Sequence, residues 1–238
     1  MVQPNFTVNI ATFNQLDNLK LIIEALKMQT LSSFEVIVCD DGSSDGTKEW
    51  AKDQDFDYFW QEHDGFQLAK SKNNGIRAAN GEYFVSLEAD VVPHPALLEE
   101  FSKHLGERTV QLGVRHDVQM WPNKLDFNLF DKYIISKDFR LPSLDDWEKV
   151  DRPWRFVSGC NLCIPTKILQ DIGGWNEDFH AYGIDDYEVG LRLMMAGCTI
   201  IPTISAYGYH LRHDLRPTSD ENIKILDDLE RKYHASSY

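Results

Sequence analysis

The 238-residue chain predicts an α/β domain with a mostly parallel central sheet flanked by helices. Three observations carry that prediction. Short apolar runs of strand length alternate with stretches whose apolar residues recur at helical spacing. Each early strand ends in a polar cluster, first Asn14, then Asp40-Asp41, then Glu88 and Asp90. The length suits one sizeable domain, with 42% hydrophobic and 26% charged residues. In open α/β sheets ligands bind beyond the carboxyl ends of the strands, so the polar clusters predict one functional rim.

Taken in order, Phe6 to Phe13 reads as a first strand, and Asn14 breaks it. Leu16, Leu19, Ile23 and Leu26 then fall at helical spacing between Gln15 and Met28. Phe34 to Cys39 is a second strand, closed by the turn-forming run Asp40-Asp-Gly-Ser-Ser-Asp-Gly-Thr47. A helix from about Asp45 to Asp53, a strand Phe56 to Trp60 and a helix Gln67 to Asn80 follow, the last capped by Gly81. Glu82 to Leu87 is the next strand. Pro93 is read as the residue that stops it, since proline cannot donate to a ladder.

Beyond Pro93 the pattern predicts a helix Pro95 to Leu105 and a strand Thr109 to Arg115. From His116 to Arg155 no period persists, and Trp121, Trp147 and Trp154 stand among prolines and charges. A stretch of that length reads as an excursion or lid. Strand character returns from Phe156 to Pro165, then a short helix Thr166 to Ile172 and the turn Gly173-Gly174-Trp175. A helix opens near Asp185-Asp186, a strand runs from Thr199 to Tyr209, and Asp220 to Tyr233 is a charged helix. Its apolar stripe is expected to be Ile223, Leu226 and Leu229.

The formal charge of −14 argues against nucleic acid or an anionic membrane surface as the main partner. It also means that an anionic substrate needs a local cation. Cys39, Cys160, Cys163 and Cys198 lie in or beside apolar runs and form no zinc-finger or disulfide framework. They read as buried free thiols of a reducing compartment. No apolar run is long enough to span a membrane. Glu88-Ala89-Asp90 carries the chemistry most directly. If the backbone stays extended there, both carboxylates point the same way and can hold a divalent cation.

Five stretches in order resemble one family. They are Val8-Asn-Ile-Ala-Thr-Phe-Asn14, Val36-Ile-Val-Cys-Asp-Asp-Gly-Ser-Ser-Asp45, Lys72-Asn-Asn-Gly-Ile-Arg-Ala-Ala-Asn-Gly-Glu-Tyr83 and Leu87-Glu-Ala-Asp90. The fifth is Gly173-Gly-Trp-Asn-Glu-Asp-Phe179 with Gly183-Ile-Asp-Asp-Tyr-Glu188. Together they resemble the family 2 inverting glycosyltransferases of GT-A fold, with a C-terminal motif like that of β-1,4-galactosyltransferases and chondroitin-type synthases.

The resemblance implies a UDP-sugar donor, a carbohydrate or glycoconjugate acceptor, and Mn²⁺ or Mg²⁺ as cofactor. It implies nucleotide-sugar contacts from Ala11, Thr12, Phe13, Asn14, Asp41, Lys72, Glu88, Ala89 and Asp90. Asp41 would accept from a base N–H, and Lys72 would partner donor oxygens. Asp90 is the implied metal residue. Glu88 stands where the family has aspartate, one methylene shorter. His210 is the implied histidine ligand, with His213 as its rival. Asp186 matches the catalytic base, while Trp175 and Asp185 fall in the acceptor region.

The organisation that follows is a GT-A domain over residues 1–215, with a nucleotide-binding half at 1–115 and an acceptor and catalytic half at 116–215. The excursion at 116–155 belongs to the second half, and residues 216–238 form a C-terminal helix. The expected setting is the cytoplasm, peripheral to a membrane-bound glycan assembly system. Other readings stay open: a retaining transferase on the same fold, a nucleotidyltransferase, or a decayed sugar-binding module. Against the nucleotidyltransferase, Ala11-Thr-Phe-Asn14 is not a glycine-rich phosphate loop.

Overall fold

The computed structural model describes residues 6–119, 124–138, 140, 146–211 and 219–236. The N-terminal half alternates as read. β1 (Phe6–Thr12), α1 (Leu16–Leu26), β2 (Phe34–Asp40), α2 (Thr47–Ala51), β3 (Asp57–Trp60), α3 (Leu68–Ala78) and β4 (Tyr83–Glu88) follow one another. β1 pairs in parallel with β2 and β4, and β2 pairs in parallel with β3. Phe6, Val8 and Ile10 of β1 are fully buried, as are Leu19 and Ile22 of α1, which covers this part of the sheet.

The second half follows a different pattern. β5 (Val91–Pro93), α4 (Leu97–Ser102), β6 (Thr109–Val118), α5 (Phe127–Tyr133), β7 (Ile134–Ser136) and β8 (Asn161–Pro165) come next. α6 (Thr166–Asp171), α7 (Asp185–Met195), β9 (Thr199–Leu211) and α8 (Asp220–Ser236) complete the order. The sheet runs β3-β2-β1-β4-β8-β6-β9-β5, with β7 attached to β6. β8 is antiparallel to β4 and β6, and β5 is antiparallel to β9, while β6 and β9 pair in parallel, so the sheet is mixed and the antiparallel β8 separates the parallel N-terminal strands from a second parallel pair.

Several local expectations change. Pro93 does not stop the strand. It belongs to β5, paired with Gly208 on the last strand of the sheet, where a proline's missing N–H is tolerated. The break falls earlier, at the turn Ala89-Asp90. The excursion is also partly built. β6 extends to Val118 and pairs with β7, while 3-10 turns occupy Trp147–Lys149 and Pro153–Phe156 in place of the start of the expected strand. Trp154 is buried and Trp147 donates to the Ile200 carbonyl at 2.9 Å, so both serve packing. Trp121 lies outside the described residues.

α8 differs in the face it buries. Ile223 is 42% exposed, whereas Asn222, Leu226 and Glu230 are buried and Leu229 and Tyr233 pack on the apolar cluster that holds Trp154, Val189 and Leu226. The spacing of these five is the ordinary helical stripe, shifted by one residue from the all-apolar reading. The four cysteines are buried and free, and burial raises the Cys39 thiol to about 12. Among the described residues no helix is long and apolar enough to cross a membrane.

Candidate active site

The first wall of the site is the rim of the parallel strands. Asn14 follows β1 in the left-handed conformation at φ 52°, which asparagine tolerates because its short side chain bonds locally. Its amide N–H donates to Ser43 Oγ at 2.8 Å, and its Oδ1 accepts from the Ser44 N–H at 2.8 Å, tying the β1 loop to the turn after β2. Thr12 gives its carbonyl to the Asp41 N–H at 3.0 Å. Its hydroxyl is buried without a hydrogen-bond partner among the described residues. Asp41 accepts from Gln61 Nε2 at 2.6 Å, and its Oδ2 lies 3.3 Å from His63 Nδ1. Phe13 stacks on His63, with ring centroids 4.1 Å apart and planes 12° from parallel.

The centre is the turn after β4. Ala89 is buried, and its N–H donates to the Ala11 carbonyl at 3.0 Å, closing the turn against β1. Because the chain turns here, Glu88 and Asp90 part company. Glu88 Oε1 accepts from Lys72 Nζ at 2.7 Å. Asp90 Oδ2 faces His210 Nε2 at 3.7 Å, and the other imidazole nitrogen, Nδ1, sits 2.8 Å from Asp117 Oδ1. The convergence of Glu88 and Asp90 on one ion, expected from an extended backbone, is therefore not what the structure brings together. His213 lies outside the described residues.

The third part surrounds the start of α7. Lys72 has a side-chain exposure of 0% and spans Glu88 and Asp186, the latter at 3.6 Å. Burial lowers the pKa of such a group, yet the Asp186, Glu88 and Asp185 carboxylates together hold Lys72 above the ordinary lysine value. This buried lysine braces two carboxylates instead of reaching out towards donor oxygens as expected. Gly159 makes the arrangement possible: a Cβ there would stand 2.4 Å from Lys72 Nζ and 2.5 Å from Asp186 Oδ1.

Trp175 is likewise buried. Its indole N–H donates to Asp186 Oδ1 at 2.9 Å, and Lys72 Nζ lies 5.1 Å from its ring centroid, so its face is closed to an acceptor. Asp186 keeps 21% of its side chain exposed. Asp185 is buried, and desolvation, reinforced by the Asp186 charge, pushes its pKa up to about 7.

Asp185, Asp186 and Glu88 line a cleft of about 200 Å³ together with Tyr182, Phe156, Arg115, Arg140 and Arg155. Arg140 is committed to Asp138 and to the Phe156 and Gly113 carbonyls. Arg155 is held by Glu230 at 2.8 Å. Among the described residues no three His, Cys, Asp or Glu side chains form a group suited to a metal. Asp90 and His210 bring one oxygen and one nitrogen face to face, and Asp117 fixes the ring as a supporting carboxylate would.

The family model described as glycosyl transferase family 2 matches residues 7–173, which takes in the rim, the turn after β4 and Lys72. The chain belongs to glycosyl transferase family 2. A second model, described as the N-terminal domain of galactosyltransferase, matches residues 143–214 and so covers Asp185, Asp186 and His210.

Among relatives of this family 2 chain, the chondroitin synthase of Escherichia coli is 27% identical over 88% of the chain and 35% of its own length. The validoxylamine A glucosyltransferase of Streptomyces hygroscopicus subsp. jinggangensis is 26% identical over 94% of the chain and 58% of its own length. The chain thus spans about a third to three-fifths of these relatives. Staphylococcus aureus TarS in complex with UDP superposes with a TM-score of 0.67 at 18% identity, covering 94% of this chain and 64% of that one. The mannosyltransferase PcManGT of Pyrobaculum calidifontis, in complex with GDP-Man and Mn²⁺, superposes with a TM-score of 0.58 at 20% identity, over 88% and 57%. These likenesses establish the GT-A architecture of the transferase.

Gln61, His63, Asp117, Arg115 and Tyr182 join the site without having been singled out from the sequence. None of them falls within the five stretches that carry the family resemblance. Only the end of the Phe56–Trp60 run, a fourth strand terminus on the same rim, could have pointed to Gln61 and His63.

Proposed function

We propose that this chain transfers a sugar from a UDP-sugar to a hydroxyl of a carbohydrate acceptor with inversion at the anomeric carbon. The observation that carries the reading is the setting of Asp186. One carboxylate oxygen is held by the Trp175 indole and the Lys72 ammonium while the side chain stays partly open to the cleft. A base fixed through one oxygen presents the other to a substrate hydroxyl. Asp186 takes the hydroxyl proton as that oxygen bonds to the anomeric carbon and the bond to the UDP leaving group breaks, with no covalent enzyme intermediate. Asp185, with its pKa near 7, still carries its proton over part of the neutral range and can donate to a neighbouring acceptor oxygen.

The donor lies along the rim in this reading. Phe13 and Asn14 line the nucleotide, Asp41 accepts from the base, and Ala11, Thr12 and Ala89 supply the wall. Residues 1–115 then serve the nucleotide and 116–215 the acceptor. The Asp90–His210 pair fits a divalent ion in donor chemistry, an oxygen and an imidazole nitrogen, for which Mn²⁺ is well suited. Those two residues would hold it, and Glu88 is drawn off by Lys72. The ion supplies charge neutralisation for the diphosphate, the local cation that a chain of net charge −14 needs.

The test is a panel of UDP-sugars scored for Mn²⁺-dependent hydrolysis, followed by transfer with the active donor. The expected result is one preferred donor and a product of inverted anomeric configuration by NMR. Asp90→Ala is expected to abolish Mn²⁺-dependent UDP binding. Tight UDP binding in excess chelator would overturn the metal scheme, and a retained configuration would overturn the base role.

A further inference from the structure

The buried face of α8 carries two polar residues where an apolar stripe would suffice. Burying an amide or a carboxylate is costly unless its hydrogen bonds are met. Asn222 is 1% exposed, and its Nδ2 donates to the carbonyls of Ala181 at 2.8 Å and Gly183 at 2.9 Å. Glu230 accepts from Arg155 Nη2 at 2.8 Å, and Arg152 and the Trp154 indole lie within 3.4 Å of it. Each set of partners includes one residue of the cleft lining: Gly183, next to the lining residue Tyr182, for Asn222, and Arg155, next to the lining residue Phe156, for Glu230.

The Asn222 contact reaches a strained point. Gly183 has φ 104° and Ile184 has φ 61°, so a β-branched residue stands in the left-handed region immediately before Asp185 and Asp186. Such a residue persists there only where the surroundings over-determine it. The Asn222 amide, holding the carbonyls on either side of Tyr182, supplies that constraint.

We propose that Asn222 of α8 is a positioning residue for transfer: it locks the 181–184 turn that aims Asp185 and Asp186 into the cleft. Glu230 holds the facing wall through Arg155. α8 is then a clamp on the catalytic half. This rests on Asp186 acting as base.

The test uses the whole chain. Asn222→Leu keeps the branched shape of the side chain and suits the apolar stripe, so α8 should remain seated while the two carbonyls lose their donor. The expected result is a fall in kcat for transfer of about 10- to 100-fold, with the donor KM and the Kd for UDP unchanged. Asn222→Gln, which keeps both donors, is expected to recover part of the loss. Unchanged kcat in a folded Asn222→Leu overturns the proposal. So does a fall in kcat matched by an equal loss of UDP affinity, which marks general loosening. If Asn222→Leu does not fold, Asn222→Ala is read by the same two criteria. Asp186→Asn is assayed alongside. Wild-type transfer by that variant overturns the base assignment, whereas an inactive Asp186→Asn beside an unimpaired Asn222→Leu overturns only the positioning role.

Discussion

The two halves of the site hold their carboxylates in different ways. On the rim of the parallel strands, Asp40 and Asp41 are met by neutral donors: the Ser43 N–H and the Tyr58 hydroxyl for one, the Gln61 amide for the other. At the start of α7, Asp186 and Glu88 are held by a single buried ammonium, and Asp185 has burial and a like charge against it. Hydrogen bonds from neutral donors to a carboxylate are short-ranged and nearly independent, each worth about 1.5–3 kcal/mol. A buried cation shared among acids is a coupled unit, in which removal of one member strands the others. Changes on the rim should therefore act locally on binding, and changes around Lys72 should act on chemistry and stability together.

The largest effect should come from Asp186→Asn. Loss of a general base lowers kcat by about 10²- to 10⁴-fold, and calorimetry should find UDP binding nearly intact because the rim is untouched. Next is Lys72→Met, which fits the space but leaves Glu88, Asp185 and Asp186 without their cation. The expected cost is about 3 kcal/mol, the low end for a broken buried pair, since Glu88 and Asp186 can each recruit water. Thermal or urea unfolding reads it. A Lys72→Met protein as stable as wild type would break the comparison outright.

On the rim, Asp41→Asn should weaken UDP binding by about tenfold, the value of one hydrogen bond to a charged group, with kcat at saturating donor unchanged. A further effect is conditional on pH. Asp185 has a folded pKa raised from 3.8 to about 7. The folded state therefore binds the extra proton, and the stability this brings is present below the unfolded value and lost as pH rises through about 7. Asp185→Asn should raise the melting temperature at pH 8 and leave it almost unchanged near pH 4. An equal shift at both values would show that the carboxyl does not titrate there.

Much of the rim is legible in the chain because it is local. A buried strand followed by Asn14, or by Asp40-Asp41, announces a strand terminus within a few residues, and parallel pairing brings such termini together. Asp186 is legible through its motif. Lys72 is not: its helix pattern says only that a lysine occurs there, and the acids that bury it come from β4 and α7. Trp175 falls in the acceptor region by resemblance, and the Asn73 and Asp186 side chains that close on it come from elsewhere in the chain. The Glu88–Asp90 pair misleads because period-two reasoning holds only while the backbone is extended, and the turn at Ala89 cannot be seen in side-chain character. On α8, choosing Ile223 for the stripe follows hydrophobicity, whereas burial followed the partners available to Asn222 and Glu230.

The small strand β5 has a consequence for tolerance. Val91 is registered against His210 across the β5–β9 ladder, so the spacing of Asp90 from His210 is set by backbone pairing and not by a loop. A slip of one residue along that ladder would displace the two side chains by about 3.3 Å and turn one of them to the opposite face. The pair thus inherits the precision of a sheet. Loosening it means unzipping the last strand of the sheet, so donor affinity and the integrity of that edge should be lost together.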